Sequence, residues 1–216
     1  MISQDWSGWL REWNRILLDG LEPGQPGEDD PDLTPEIIAS GWLGAPGAGD
    51  AELAALEARL GTTLPPSYRS FLQISNGFIQ PNVLVPRLLS SGEVDWFRVR
   101  HQDTIEAWSF GASGGTGEPE YPGSFEQYLP TALQVSAVEH AGSAVYLLNP
   151  RVVDADGEWE AFYFAHWVPG VDRYPSFRAL MEAERAKWTP PSAPLPRRPT
   201  RWETWWSILR WIVRSE

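Results

Sequence analysis

The sequence predicts an α+β fold: a mainly antiparallel sheet packed with helices, with a further helical segment at each end. Three observations carry this reading. Apolar residues recur at helical spacing in residues 5–18, 50–75, 176–187 and 201–214, whereas residues 132–167 hold short apolar runs and alternation separated by turn formers. The 216 residues suffice for one full domain with extensions, and a chain of that size buries roughly 70% of its unfolded surface without staples. There is no cysteine, which excludes disulfides, thiolate metal sites and cysteine nucleophiles.

Near the start, Trp6, Trp9, Leu10, Trp13, Ile16 and Leu17 share one face at about 100° per residue, the mark of an amphipathic helix. Residues 23–32 combine Pro and Gly with four acids and read as an acidic linker. Asp50 is placed to cap a helix bearing Leu53, Leu56 and Leu60, and Gly61 stands where a left-handed terminal residue is wanted. Pro66 suits the first turn of a second helix with Tyr68, Phe71 and Leu72 inward, closed by Asn76-Gly77. Phe78 to Leu89 and Val94 to Val99 read as extended, the first as an edge because of Pro81 and Pro86. Residues 111–123 form a long Gly- and Pro-containing loop.

Residues 132–139, 143–148 and 158–167 are strand-like, and the turn chemistry at 140–143 and 154–157 makes them an antiparallel meander. A helix follows over 176–187, then five prolines in residues 189–199 form a stiff spacer, and residues 201–214 return to helical spacing. The organisation is therefore an N-terminal helix and acidic linker (1–35), an α+β domain (36–188), a Pro-rich spacer (189–199) and a Trp/Arg-rich C-terminal helix (200–216).

The run Leu53-x-x-Leu56-Glu57-Ala58-Arg59-Leu60-Gly61-x-x-Leu64-Pro65-Pro66-Ser67-Tyr68-Arg69-x-Phe71-Leu72-x-x-Ser75-Asn76-Gly77 resembles the signature of the SUKH superfamily, the SMI/KNR-type domain. The stretches Val145-Tyr146-Leu147-Leu148-Asn149-Pro150, Asp156-Gly157-Glu158-Trp159-Glu160-Ala161 and Tyr174-x-Ser176-Phe177-x-x-Leu180-Met181 are similar to its C-terminal half. The resemblance covers most of residues 40–187. It implies a SUKH-type fold and a binding module without catalytic residues of its own. In bacteria such domains are typically immunity proteins that neutralise polymorphic toxins, many of them nucleases; in fungi a relative acts in cell-wall regulation.

Charge sharpens the expectation. The net charge is −12, but residues 1–184 carry 10 basic and 27 acidic side chains and the last 32 residues carry 7 basic and 2 acidic. An acidic body argues against direct nucleic-acid binding, which needs clustered Lys and Arg, and suits a basic partner protein such as a cognate toxin. Interfaces are anchored by Trp, Tyr and Arg and hastened by charge complementarity. The candidate contact residues are accordingly Glu93, Asp95 and Trp96, the loop residues Trp108, Glu118, Glu120 and Tyr121, and Trp211 on the C-terminal helix.

Other chemistries weigh less. His101, His140 and His166 are far apart and lack metal-ligand spacing, so neither a metal nor a cofactor is expected. Asp154, Asp156, Glu158 and Glu160 beside Trp159 offer the two carboxylates of a small hydrolase, but Asp and Gly at 154–157 are what a hairpin turn wants. At strand period Glu158 and Glu160 share one solvated face. The tryptophans of the C-terminal helix suit docking on the domain, or an adaptor role on a scaffold or a lipid surface. With no signal peptide and no long apolar stretch, the expected location is the cytoplasm.

Overall fold

In a computed structural model, which describes residues 5–20, 33–80, 84–112, 125–139 and 143–187, the first element is helix α1 (Trp6–Asp19). The Asp5 side chain caps it by accepting from the Gly8 N–H at 3.0 Å. Its apolar face is buried: Trp6, Trp9, Leu10, Trp13 and Leu17 are each at most 6% exposed. Trp6 meets Phe71 edge to face at 5.4 Å and Phe177 at 5.7 Å, so α1 lies against helices α4 (Pro66–Ile74) and α6 (Phe177–Lys187). Arg178 on α6 sits over both Trp6 (4.5 Å) and Trp9 (5.2 Å), and Arg185 sits over Trp9 (4.8 Å) while pairing with Glu12 at 3.1 Å. The buried Asn14 joins α1 to residues 41–43, donating to the Gly41 carbonyl and accepting from the Leu43 N–H, both at 2.8 Å.

Helix α2 (Pro35–Ser40) was not anticipated from periodicity, because its six residues bury nothing; Thr34 at the N-cap and Pro35 at the first position specify it. Helix α3 (Asp50–Leu60) buries Leu53, Leu56 and Leu60. Gly49 rather than Asp50 is its N-cap residue, and its amide is bound by Glu52 at 2.8 Å. Gly61 ends the helix at φ 70. Helix α4 starts at Pro66 and turns Tyr68, Phe71 and Leu72 inward.

Residues 78–89 do not form one extended strand. They form a hairpin, β1 (Phe78–Ile79) paired with β2 (Arg87–Leu88), because Pro81 and Pro86 lie between the two and cannot donate to a ladder. Likewise only β3 (Asp95–Trp96) of the 94–99 segment is extended; Phe97–Val99 coils into a 3-10 turn that drives Phe97 into the core. Helix α5 (Gln102–Ala112) was missed, since the glycine-rich run after it masks a weak apolar period.

The main sheet has the order β3-β4-β5-β6-β7, every neighbouring pair antiparallel, with β4 at Leu133–Gln134, β5 at Val145–Val153, β6 at Trp159–Phe164 and β7 at Asp172–Tyr174. The anticipated meander is present and gains β7. On one face Val145, Leu147, Phe162 and Phe164 pack with Phe97, Ile105 and the 3-10 helix Phe125–Thr131. Alternation sends Tyr146 to the other face, where its hydroxyl meets Glu184 of α6 at 3.2 Å. Helices thus cover both faces, as an α+β layer fold requires.

Candidate functional site

The turn before β3 and the strand itself bring Glu93, Asp95 and Trp96 together. Glu93 is not a free surface acid. Its Oε2 accepts from the Ser90 hydroxyl (2.6 Å), the Ser90 N–H (3.0 Å) and Arg87 (3.1 Å), while Oε1 pairs with Arg87 at 2.9 Å. Burial works against its charge, but the two Ser90 bonds and the Arg87 guanidinium prevail and hold the carboxyl below its ordinary value. Arg87 is shared with Glu139, whose carboxylate lies 3.4 Å from Nε. Asp95 caps its own strand through the Trp96 N–H at 2.8 Å and faces Arg59 at 4.0 Å. Trp96 is half-buried beneath Arg98, whose guanidinium carbon is 5.5 Å from the ring centre.

Arg87, Ser90 and Glu93 also line an open groove of about 470 Å³ whose other walls include Ile37, Gly44 and Phe78. Among the lining residues, Gly44 bridges Phe78 and Gly77 turns the chain at φ 106. Of its charged lining residues, Glu93 is balanced by Arg87, beside an apolar wall.

Trp108 belongs elsewhere. It is a helical residue of α5, not a loop residue, and packs edge-on against Phe125 (5.2 Å) and Phe164 (5.6 Å), half-buried over the first core face. Glu118, Glu120, Tyr121 and Trp211 lie outside the described residues, as do the acidic linker, the Pro-rich spacer and the C-terminal helix.

The carboxylate run 154–160 is structural in each member the structure ties down. Asp154 Oδ1 accepts from the Asp156 and Glu158 amides, both at 2.9 Å, and Gly157 completes the turn at φ 81. Glu160 is bound by Arg173 (2.6 and 2.9 Å) and by Asn149 (3.0 Å). The expectation that Glu158 lies on a solvated face is corrected: it is 7% exposed, and its carboxylate receives the Ser67 N–H at 2.8 Å and the Ser67 hydroxyl at 2.6 Å. Burial pushes its carboxyl above the ordinary value, the Ser67 bonds only partly opposing. Strand period failed here because Glu158 precedes β6, where the turn, not the pleat, sets its direction.

His101 stacks on Phe97 at 4.6 Å, and burial lowers its pKa; His166 meets Trp167 edge to face at 4.9 Å. Among the described residues no group of three metal-ligating side chains converges, and no helix is long and apolar enough to cross a membrane. Sequence reasoning missed Arg87 and Ser67, since each gains its role only from a partner brought close by folding.

No curated protein matches the chain. The family model described as the SMI1/KNR4 family (SUKH-1) matches residues 47–183, from the loop before α3 to the middle of α6. That segment contains both blocks of motif residues and every strand of the two sheets. The chain belongs to the SMI1/KNR4 family, SUKH-1.

Proposed function

We propose that this chain is an immunity protein that binds a basic bacterial toxin, a nuclease being one class, and covers its active site with an acidic surface. The observation that carries the reading is the family match over residues 47–183 in a chain of net charge −12. A nuclease must present basic groups to phosphate, so an acidic partner can occupy the same site. Seven of the 27 acids of residues 1–184 (Glu22, Glu28, Asp29, Asp30, Asp32, Glu118 and Glu120) fall in residues 21–32 and 113–124. Many of the others are engaged in caps and ion pairs, so the contact surface is proposed to centre on Asp95, whose carboxylate lies 4.0 Å from Arg59, and on Trp96, Glu118, Glu120 and Tyr121. Trp108 and Trp211 remain secondary anchors in this reading.

The engagement of Asp154, Glu158 and Glu160 in a turn, a helix cap and an ion pair favours binding over carboxylate-based hydrolysis. The cytoplasm is the compartment in which an immunity protein meets an incoming toxin. The test starts from the gene immediately upstream, which this reading expects to encode a large secreted protein with a small C-terminal toxin-like domain, and co-expresses that domain with this chain. Growth restored by the wild type and lost with the combined Asp95→Lys, Glu118→Lys and Glu120→Lys variant supports the reading. Failure of the wild type to restore growth, or full rescue by the variant, overturns it. Glu93 is left intact in that variant because its reversal would break the Arg87 pair.

A further inference from the structure

The 3-10 helix Phe125–Thr131 carries Tyr128, half-buried, with a guanidinium on either account: the Arg151 carbon lies 5.6 Å from the ring centre and the Arg173 carbon 5.8 Å. Arg173 is fixed in place. Its Nε and terminal nitrogen donate to the two Glu160 oxygens at 2.6 and 2.9 Å, and Glu160 also accepts from Asn149, a fully buried side chain. The register that makes this possible pairs Asn149 with Glu160 and Phe162 with Arg173. Arg151 is held differently: one terminal nitrogen donates to the Gln127 carbonyl at 3.5 Å, and among the described residues it has no carboxylate partner. It is exposed.

The cluster therefore has one neutralised arginine, one arginine still carrying its charge, and an aromatic ring that orients both. Arg and Tyr at rigid positions are the residue types that concentrate binding energy at interfaces. A guanidinium fork matches a carboxylate with two parallel bonds.

We propose that Tyr128, Arg151 and Arg173 form a recognition site for a carboxylate side chain of a partner protein, with Arg151 as the fork and the Asn149–Glu160–Arg173 chain as its fixed backing. A nucleic acid fits poorly, since tight binding there neutralises several phosphates at once and this site offers a single uncompensated charge within an acidic chain. The site reverses the local sign of the acidic body, so it sets the orientation of a partner whose remaining contacts are basic. The proposal goes beyond toxin neutralisation and holds for any protein partner with a suitably placed Asp or Glu.

The test is an NMR titration of the full chain, following the Arg Nε–H signals and the Tyr128 ring, with hexaglutamate as probe and inorganic phosphate and oligothymidylate as comparisons at matched ionic strength. Saturable shifts at Arg151 and Tyr128 with hexaglutamate are expected. Arg151→Gln should weaken them at least tenfold, and Arg151→Lys, which keeps the charge without the fork, should also bind more weakly than wild type. Arg11, exposed on α1 and unpartnered among the described residues, should not shift. Absence of saturation, equal shifts at Arg11, or unchanged binding by either variant overturns the proposal. So does saturation of Arg151 by phosphate or oligothymidylate ahead of hexaglutamate.

Discussion

Glu158 caps helix α4 through Ser67, a residue 91 positions earlier in the chain. Both polar groups of Ser67 are bound, the N–H at 2.8 Å and the hydroxyl at 2.6 Å, and the Ser67 carbonyl receives the Trp6 indole N–H at 2.9 Å. The start of α4 is thus a junction of α1, α4 and the β5–β6 hairpin. Pro65-Pro66 leave this helix without a side-chain cap of its own, so a distant carboxylate supplies one.

Removing that carboxylate should cost stability. Glu158→Ala leaves the buried Ser67 N–H without its partner, at about 1–3 kcal/mol. Thermal unfolding should move down by about 2–4 °C for each kcal/mol in a chain of this size. Glu158→Gln keeps an acceptor and a donor for Ser67 and should lose less.

Acidity should act on Glu158 and Glu93 in opposite directions. Burial raises the Glu158 pKa in the folded protein above its unfolded value near 4.5, so the folded state holds the proton more firmly. Its contribution is therefore full below that value and declines as pH rises through the folded pKa. The Glu93 pKa is lowered, so its contribution is present above 4.5 and is lost as pH falls through the folded pKa. Denaturant midpoints measured from pH 3 to 7 should show Glu158→Gln gaining on the wild type as pH rises, and Glu93→Gln gaining on it as pH falls.

Trp6 should be among the costliest residues to truncate. It is 1% exposed, packs on Trp9, Phe71 and Phe177, and donates to Ser67. Trp6→Ala should cost about 3–5 kcal/mol, as large aromatic deletions do. Trp6→Phe keeps ring contacts and loses the hydrogen bond, a loss of about 1 kcal/mol by the same unfolding measurement.

Gly47 tests the seat of the 43–48 segment on α4. A Cβ built there would overlap the Gln73 carbonyl oxygen, which is backbone and cannot swing aside. The Ala48 amide next to it donates to the Leu72 carbonyl at 2.8 Å, so the segment has no room to lift. Gly47→Ala should destabilise by about 1–3 kcal/mol, whereas Gly92→Ala, with open space around it, should be near neutral.

The local elements were legible where one segment contains its own signals. Leu53, Leu56, Leu60 and Gly61 specify α3, and Pro66, Tyr68, Phe71 and Leu72 specify α4, without reference to distant residues. The Asp154–Gly157 turn was legible for the same reason, since Asp and Gly there serve the backbone beside them. Helix α5 was not, because Ile105 and Trp108 are inward-facing apolar residues and a glycine-containing run begins at Gly111, inside its last turn. The roles of Glu158, Arg87 and Tyr128 were out of reach in principle: each depends on a partner brought near only by the sheet register or by α4. Candidate contact residues read from residue type alone therefore included Glu93, whose charge is spent within the protein.

The clasp of α1 on α4 and α6 has a consequence for where this protein can be cut. The family match begins at residue 47, after α1 has ended, yet Trp6 packs on Phe71 and Phe177, and Trp6 and Trp9 lie under the Arg178 and Arg185 guanidinium groups. A fragment starting at residue 47 would carry the whole signature and still lack its lid, leaving those rings bare to water and to one another. Such a fragment should self-associate on size-exclusion chromatography, while one that retains α1 should not. Sequence homology and physical self-sufficiency thus begin at different residues in this chain.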